Sequence, residues 1–154
     1  MLNLFHLLVG LILPACGFVG AAGLPVPARM DMTAIVRPKS PNTALAAPEG
    51  FSPAPDIVTQ PYAAPPDRLF AAIERVAGAQ ERVFPQIRFP EDRQAHFVAR
   101  SAVFNFPDLI AVQVTPDSGL ILWSRSVYGR GDFGVNRARL QTWLAALDAA
   151  LAAN

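Results

Sequence analysis

Four arginines lie in one short stretch, between Ser124 and Leu140, that also holds one carboxylate, one asparagine and three glycines. They are Arg125, Arg130, Arg137 and Arg139. Guanidinium groups bind carboxylates and phosphates through paired hydrogen bonds. The chemistry this stretch could do is therefore the binding of an anion or of a partner's acidic segment.

A helix start inside this stretch concentrates positive charge. Asp132 suits the N-cap of a helix beginning near Phe133, because its carboxylate can accept the amide protons of the first turn. Arg137 then lies in that turn, where the helix dipole disfavours a cation by a few tenths to about 1 kcal/mol. Internal pairing with Asp108 and Asp132 would offset the charge. An anion bound by the arginines and Asn136 would do so equally well, and the sequence leaves both arrangements open.

A smaller basic patch lies far upstream, in the run Arg37-Pro38-Lys39-Ser40-Pro41-Asn42. The Ser-Pro-Asn part is typical of a polar turn packed on the edge of a domain. The alternative is that Arg37 and Asn42 contribute to a binding site.

Other chemistries have little support. Hydrolysis through a nucleophile needs a base and an orienting group, yet His96 is the only histidine beyond the first 30 residues and no nucleophile-elbow motif accompanies it. Motifs for metals and phosphate loops are lacking, so we expect no metal and no cofactor. A net charge of +1 gives no reason to expect nucleic acid as a partner. A hydrolase using Asp108 or Asp132 with an arginine is the least favoured hypothesis.

The first 28 residues contain no Asp, Glu, Lys or Arg. Leu4 to Leu13 suffices for the apolar core of a signal peptide, and Leu4 to Leu24 reaches the roughly 20 residues that span a bilayer. Cys16 follows Leu-Pro-Ala, as in a lipidation box, but the proline and the absence of upstream Lys or Arg weigh against lipidation. We expect residues 1–28 to be a signal peptide or a membrane anchor. The protein would then be exported, and either anchored in the inner membrane facing the periplasm or periplasmic after cleavage.

Ten prolines lie between residues 25 and 66. Since proline fixes φ and removes an amide donor, this region is predicted to be extended linker without a helix or central strand. We assign residues 29–55 to a Pro/Ala-rich tether and residues 56–152 to a single globular domain.

Hydrophobic periodicity predicts alternating strands and helices in that domain. A helix should open at Pro66 and stop at Gly78, and a long last helix should bury Leu140, Leu144, Leu147 and Leu151. Strands are predicted near residues 56–62, 80–89, 95–104, 109–115 and 120–128. The expected fold is α+β: a two-layer sandwich in which a mostly antiparallel sheet carries both helices on one face.

The two motifs together resemble an uncharacterised bacterial family, the domain of unknown function numbered 1499. The resemblance rests on the Pro-Asn turn at Pro41-Asn42 and on the later run from Arg125 to Arg139, and it covers about Arg37 to Leu147. It implies an envelope-facing domain on an N-terminal membrane segment, without any established activity. The sequence departs from the family pattern at Arg130.

The expected function is that of a membrane-tethered binding or accessory module of the cell envelope, with an anion or an envelope protein as partner. In the alternative, the protein has a structural or assembly role, and the arginine-rich turn only forms internal ion pairs. The oligomeric state stays open.

Overall fold

The computed structural model describes residues 2–153. Three α-helices and six strands follow one another in the order α1 (Leu4–Ile12), β1 (Thr43–Pro48), β2 (Ile57–Thr59), α2 (Pro66–Gly78), β3 (Val83–Phe89), β4 (Gln94–Arg100), β5 (Pro107–Val114), β6 (Leu120–Ser126) and α3 (Val135–Ala152). Short 3-10 turns lie at Pro14–Gly17, Met32–Ala34 and Pro90–Asp92.

The strands form one sheet in the order β2-β1-β6-β5-β4-β3. All neighbours are antiparallel except β1 and β2, which are parallel. The predicted α+β class with a mostly antiparallel sheet is confirmed.

Both long helices pack on one face of this sheet. Pro66 lies in the first turn of α2. Amides of the first turn have no acceptor within the helix, so the lack of an amide proton in proline costs no hydrogen bond there. Leu69, Ile73, Leu140 and Leu147 are fully buried against the sheet, at helical spacing. Leu144 and Leu151, also predicted to be buried, pack against this core but are only partly buried. Trp143 of α3 meets Phe97 of β4 edge to face, with ring centroids 5.9 Å apart. These contacts make up the main core.

The opposite face of the sheet is covered by the N-terminal segment, residues 13–35. Met32 and Ile35 pack against a second apolar cluster on this face, formed by Leu45, Ala47, Ala111, Ile121 and Trp123. The side-chain amide of Gln94 pairs with the backbone of Met30, accepting from its N–H at 2.7 Å and donating to its carbonyl at 2.7 Å. A segment expected to be signal, anchor or tether is thus part of the folded structure.

The prediction of an extended linker through residues 25–66 is wrong for Thr43–Pro48. This segment is β1, an inner strand hydrogen-bonded between β2 and β6. Residues 43–47 contain no proline, so every amide is available to the sheet, and Pro48 stands only at its end. Small alanines at 44 and 46 lie under the helices and are fully buried.

Helix α1 leaves most of its apolar side chains in solvent. Leu11 and Ile12 are 81% and 82% exposed, and Leu4, Leu7 and Leu8 are each more than half exposed. No helix within residues 2–153 combines the length and the apolar character needed to cross a bilayer.

Candidate functional site

The strand-to-helix turn that follows β6 is shaped by residues with positive φ. Gly129, Phe133 and Gly134 have φ values of 86°, 52° and 79°. Because Gly134 is left-handed, the helix begins at Val135, two residues later than the sequence predicted. Asp132 is therefore not at the N-cap position, which Gly134 occupies.

Asp132 nevertheless satisfies the amides that a cap would satisfy. Its carboxylate accepts from the N–H of Gly134 at 2.9 Å and from the N–H of Asn136 at 2.8 Å. A negative charge at this position also offsets the positive end of the helix dipole. Asp132 thus offsets charge at the helix start through backbone amides, and it forms no ion pair with Arg137 within residues 2–153.

Asn136 is the centre of the hydrogen-bond network, and it is fully buried. The two hydrogens of its Nδ2 are shared among three acceptors, the main-chain oxygen of Asn42 (3.1 Å), Ser126 Oγ (3.0 Å) and Asp132 Oδ2 (2.7 Å). Its Oδ1 accepts from Ser124 Oγ and from Arg139 Nη1. An amide oxygen does not act as a base at neutral pH, so this arrangement does not activate Ser124 as a nucleophile.

Arg139 completes the network through an ion pair. Its Nη2 lies 2.7 Å from Oδ2 of Asp108 on β5, and both side chains are about seven-eighths buried, with 14% and 13% of their surface exposed. Its Nη1 also donates to Ser124 Oγ at 3.0 Å. All the polar contacts of Arg139 are thus made inside the chain, on the helix face of the sheet.

The upstream motif splits between two places. Asn42 joins the network: its Nδ2 donates to the carbonyl of Gly129 at 2.8 Å, and its own carbonyl accepts from the N–H of Ser126 at 3.0 Å. Arg37 lies elsewhere, with its Nη2 2.6 Å from Asp56 Oδ2. Asp56 also accepts from the N–H of Leu45, so Arg37 fixes the connection from β1 to β2.

The remaining three arginines of the turn are separated from this network. Arg130 and Arg137 are exposed and make no hydrogen bond or ion pair within residues 2–153. Arg125 alternates with Ser124 and Ser126 along β6 and faces the other side of the sheet, beside Trp123 and His96. The predicted arginine cluster is therefore divided between two faces.

Arg100 and Asn105 are polar residues of evident importance that the sequence analysis did not select. The buried guanidinium of Arg100 donates to the carbonyls of Ala15, Gly20 and Ala22 at 2.6–3.0 Å. Asn105 Nδ2 donates to two more carbonyls of the N-terminal segment, those of Cys16 and Phe18. The arginine within the apolar run of β4 could have indicated this contact, because a buried arginine requires hydrogen-bond acceptors from another part of the chain.

Cys16 lies within the segment that Arg100 and Asn105 hold. Its side chain is fully buried, and burial raises the pKa of the thiol, although the charge of Arg100 partly opposes this. Lipidation of Cys16 would require this segment to leave the sheet. No group of three or more His, Cys, Asp or Glu that could hold a metal ion occurs in the part of the chain that the structure describes.

Comparison with protein families gives one match. The model of a family described as "Protein of unknown function (DUF1499)" matches residues 35–147, which run from just before β1 into the middle of α3 and include the whole Asn42–Asn136 network. No curated protein and no solved structure matches the chain.

Proposed function

The chain belongs to the DUF1499 family of proteins of unknown function, and from this premise we propose that it is a binding or accessory domain of the cell envelope that attaches to a membrane surface. In this proposal the protein is exported, keeps its N-terminal segment, and faces the periplasm. The observation that carries the proposal is the exposed apolar surface of α1.

Helix α1 is the first part of the membrane-binding surface. Large apolar side chains that are more than half exposed rarely cluster on a protein that stays in water. The helix itself carries no charged side chain, which favours burial in the headgroup and acyl-chain boundary of a bilayer. Asn3 and His6 satisfy each other's backbone amides in a capping box, so the helix start is stabilised locally.

A series of aromatic rings connects α1 with the arginine-rich turn. Phe5 of α1 contacts Phe104 (5.7 Å between centroids), Phe104 stacks on Phe106 (5.1 Å), and Phe106 contacts Tyr128 (6.2 Å). Since β4 and β6 are both antiparallel to β5, the loop 101–106 and the turn 127–134 lie at the same end of the sheet. We call this end, with α1, the turn end.

The turn adds cations and a further apolar anchor to the turn end. Phe133 is wholly exposed at 106% of its reference surface, and it is flanked by the unpaired Arg130 and Arg137. Asp132 and Asp108 are already engaged with Asn136 and Arg139, so they do not neutralise these two arginines by contact. Arginine forks suit the phosphates of anionic lipids, which supports lipid headgroups as the anion.

Vesicle flotation of the full chain tests the proposal. The protein should float with vesicles of phosphatidylethanolamine and phosphatidylglycerol, and more weakly with phosphatidylcholine alone. Leu8→Glu with Leu11→Glu should abolish flotation with both. Arg130→Gln with Arg137→Gln should weaken only the binding to anionic vesicles, roughly thirtyfold at about 1 kcal/mol for each arginine.

The matched control is Arg68→Gln with Arg75→Gln, which removes two exposed arginines of α2 and should leave flotation unchanged. Wild-type protein that stays in the soluble fraction with both kinds of vesicle would refute membrane attachment.

A structural or assembly role is the second candidate, and the buried network around Asn136 favours it. In that case the motif locks β1, β6 and α3 together and contacts no ligand. Variants of Arg130 and Arg137 would then bind every kind of vesicle as the wild type does, whereas variants of Asn136 would lose stability.

A further inference from the structure

We propose that a pocket on the sheet face opposite α2 and α3 binds a small amphipathic acid, with Arg125 holding its anionic group. The pocket has a volume of about 420 Å³ and lies between the N-terminal segment and strands β4 to β6. Cavities of a few hundred cubic ångströms are typical of small-molecule sites. We call it the open-face pocket.

The walls of the open-face pocket are mostly apolar. Trp123, Leu109 and Ala111 line it from the sheet, and Pro27 and Met30 line it from the N-terminal segment. These walls would therefore bury the apolar chain or ring of a ligand and remove it from water.

The charges of the pocket all have one sign. Its lining holds two arginines, Arg29 and Arg125, and no carboxylate. Arg29 lies 3.5 Å from Asp92, which offsets its charge. Arg125 makes no hydrogen bond or ion pair within residues 2–153, so one uncompensated guanidinium remains for a ligand. A single anionic group on an apolar body complements this lining.

His96 supplies a neutral polar group beside Arg125. The backbone of Met30 fixes the orientation of the Gln94 amide, and the Gln94 oxygen then lies 2.9 Å from His96 Nε2. An oxygen that only accepts requires the proton on Nε2, which leaves Nδ1 as an acceptor in the neutral ring. Burial lowers the pKa of His96, and the charge of Arg125 lowers it further, so the ring adds no second positive charge.

The pocket is held open by contacts on both of its sides. Gln86 donates to the carbonyl of Pro25 at 3.0 Å, and the side-chain amide of Gln94 forms two hydrogen bonds with the backbone of Met30. These contacts fix the segment that forms the outer wall, so a ligand would meet a largely preformed site.

Calorimetric titration of the full chain with decanoate, decanol and acetate, each below its aggregation concentration and without vesicles, tests the inference. Decanoate should bind more tightly than decanol, which has the same chain without the charge, and acetate should not bind measurably. Arg125→Gln should weaken decanoate roughly ten- to a hundredfold, as expected for loss of a charge-assisted hydrogen bond, and leave decanol unchanged. Decyl phosphate in place of decanoate shows whether the site prefers a phosphate or a carboxylate, and tight binding of either supports the inference.

Three further variants keep the test specific. Arg137→Gln makes the same charge change outside the pocket and should bind decanoate as the wild type does. Leu109→Glu places a carboxylate directly across the strands from Arg125 and should compete with the ligand. Leu8→Glu with Leu11→Glu should not affect decanoate, which separates this site from the membrane surface of α1. Binding of both decanoate and decyl phosphate no tighter than that of decanol, equal binding by Arg125→Gln and wild type, or no binding at all would overturn the inference.

Discussion

Asn136, in the first turn of α3, donates a hydrogen bond of 3.1 Å to the main-chain oxygen of Asn42, which lies 94 residues earlier in the chain. The same carbonyl accepts from the N–H of Ser126 at the end of β6. One buried amide therefore ties the first strand, the last strand and the last helix together. These two asparagines lie near opposite ends of the region that the family model matches.

Replacing Asn136 should cost stability whether or not any ligand is present. Asn136→Ala removes the partner of several buried polar groups and should lower the free energy of unfolding by about 2 to 4 kcal/mol. Gln141→Ala, at an exposed position of the same helix, should change it by less than about 0.5 kcal/mol. Urea denaturation of both variants measures the difference, and equal midpoints would contradict a locking role for Asn136.

The Arg139–Asp108 pair should behave as a coupled, mostly buried ion pair. Arg139→Met and Asp108→Asn should each lower the free energy of unfolding by about 2 to 4 kcal/mol, because each leaves its partner without a counter-charge. The double variant should recover part of this loss, with a coupling energy of about 1 to 3 kcal/mol. A double-mutant cycle in urea measures it, and simple additivity would argue against the pair.

Arg137 lies two residues before Arg139 on the same helix, but its replacement should have little effect on stability. It is exposed and without polar contacts in the described chain, so Arg137→Ala should change the free energy of unfolding by less than about 0.5 kcal/mol. A loss of 1 kcal/mol or more, measured at low ionic strength, would show that Arg137 takes part in the internal network after all.

Arg100 should control the docking of the N-terminal segment. Arg100→Met removes the donors to three carbonyls of residues 15–22, and these residues should then exchange their amide hydrogens faster while β5 and β6 stay protected. Arg88→Met is the control, because it removes an exposed arginine of β3 that pairs with Glu74 of α2, on the face of the sheet opposite the N-terminal segment. Unchanged exchange in residues 15–22 would mean that other contacts hold the segment.

His96 should make the fold less stable in mild acid. Its pKa is lowered in the folded state, mainly by burial, so the unfolded chain binds the proton more readily. Stability should therefore fall as the pH drops through the ordinary histidine pKa of about 6.5, with a slope of at most about 1.4 kcal/mol per pH unit from this group. Thermal unfolding between about pH 7 and pH 5 should show a smaller slope for His96→Gln. Identical slopes for the variant and the wild type would contradict this assignment.

The helices were predictable because their sequence features are local. Pro66 at the start, Gly78 at the end and the leucine spacing of the last helix each act over a few residues. The positions of strands β3 to β6 along the chain were predictable for the same reason, because turn residues separate their apolar runs. The sequence also predicted a carboxylate at the start of α3. The helix begins two residues later than predicted because Gly134 is left-handed.

The remaining features depend on contacts that are distant in the sequence. β1 has an alanine-rich sequence of low strand propensity, and it is a strand because α3 and β6 bury it. Arg125 and Arg139 share a motif but face opposite sides of the sheet, which strand alternation at Ser124-Arg125-Ser126 could have indicated. Docking of the N-terminal segment is a long-range arrangement, and only the arginine within β4 hinted at it.

The most direct test of membrane attachment asks which end of the molecule the lipid covers. Single cysteines introduced as Leu11→Cys, Phe133→Cys and Asp117→Cys, in a Cys16→Ala background, can each carry a fluorophore whose quenching by iodide is measured with and without anionic vesicles. Leu11 and Phe133 lie at the turn end, whereas Asp117 lies in the hairpin between β5 and β6 at the other end of the sheet. The account predicts that vesicles shield the first two positions and leave the third open to iodide. Equal quenching at all three positions, unaffected by vesicles, would contradict it.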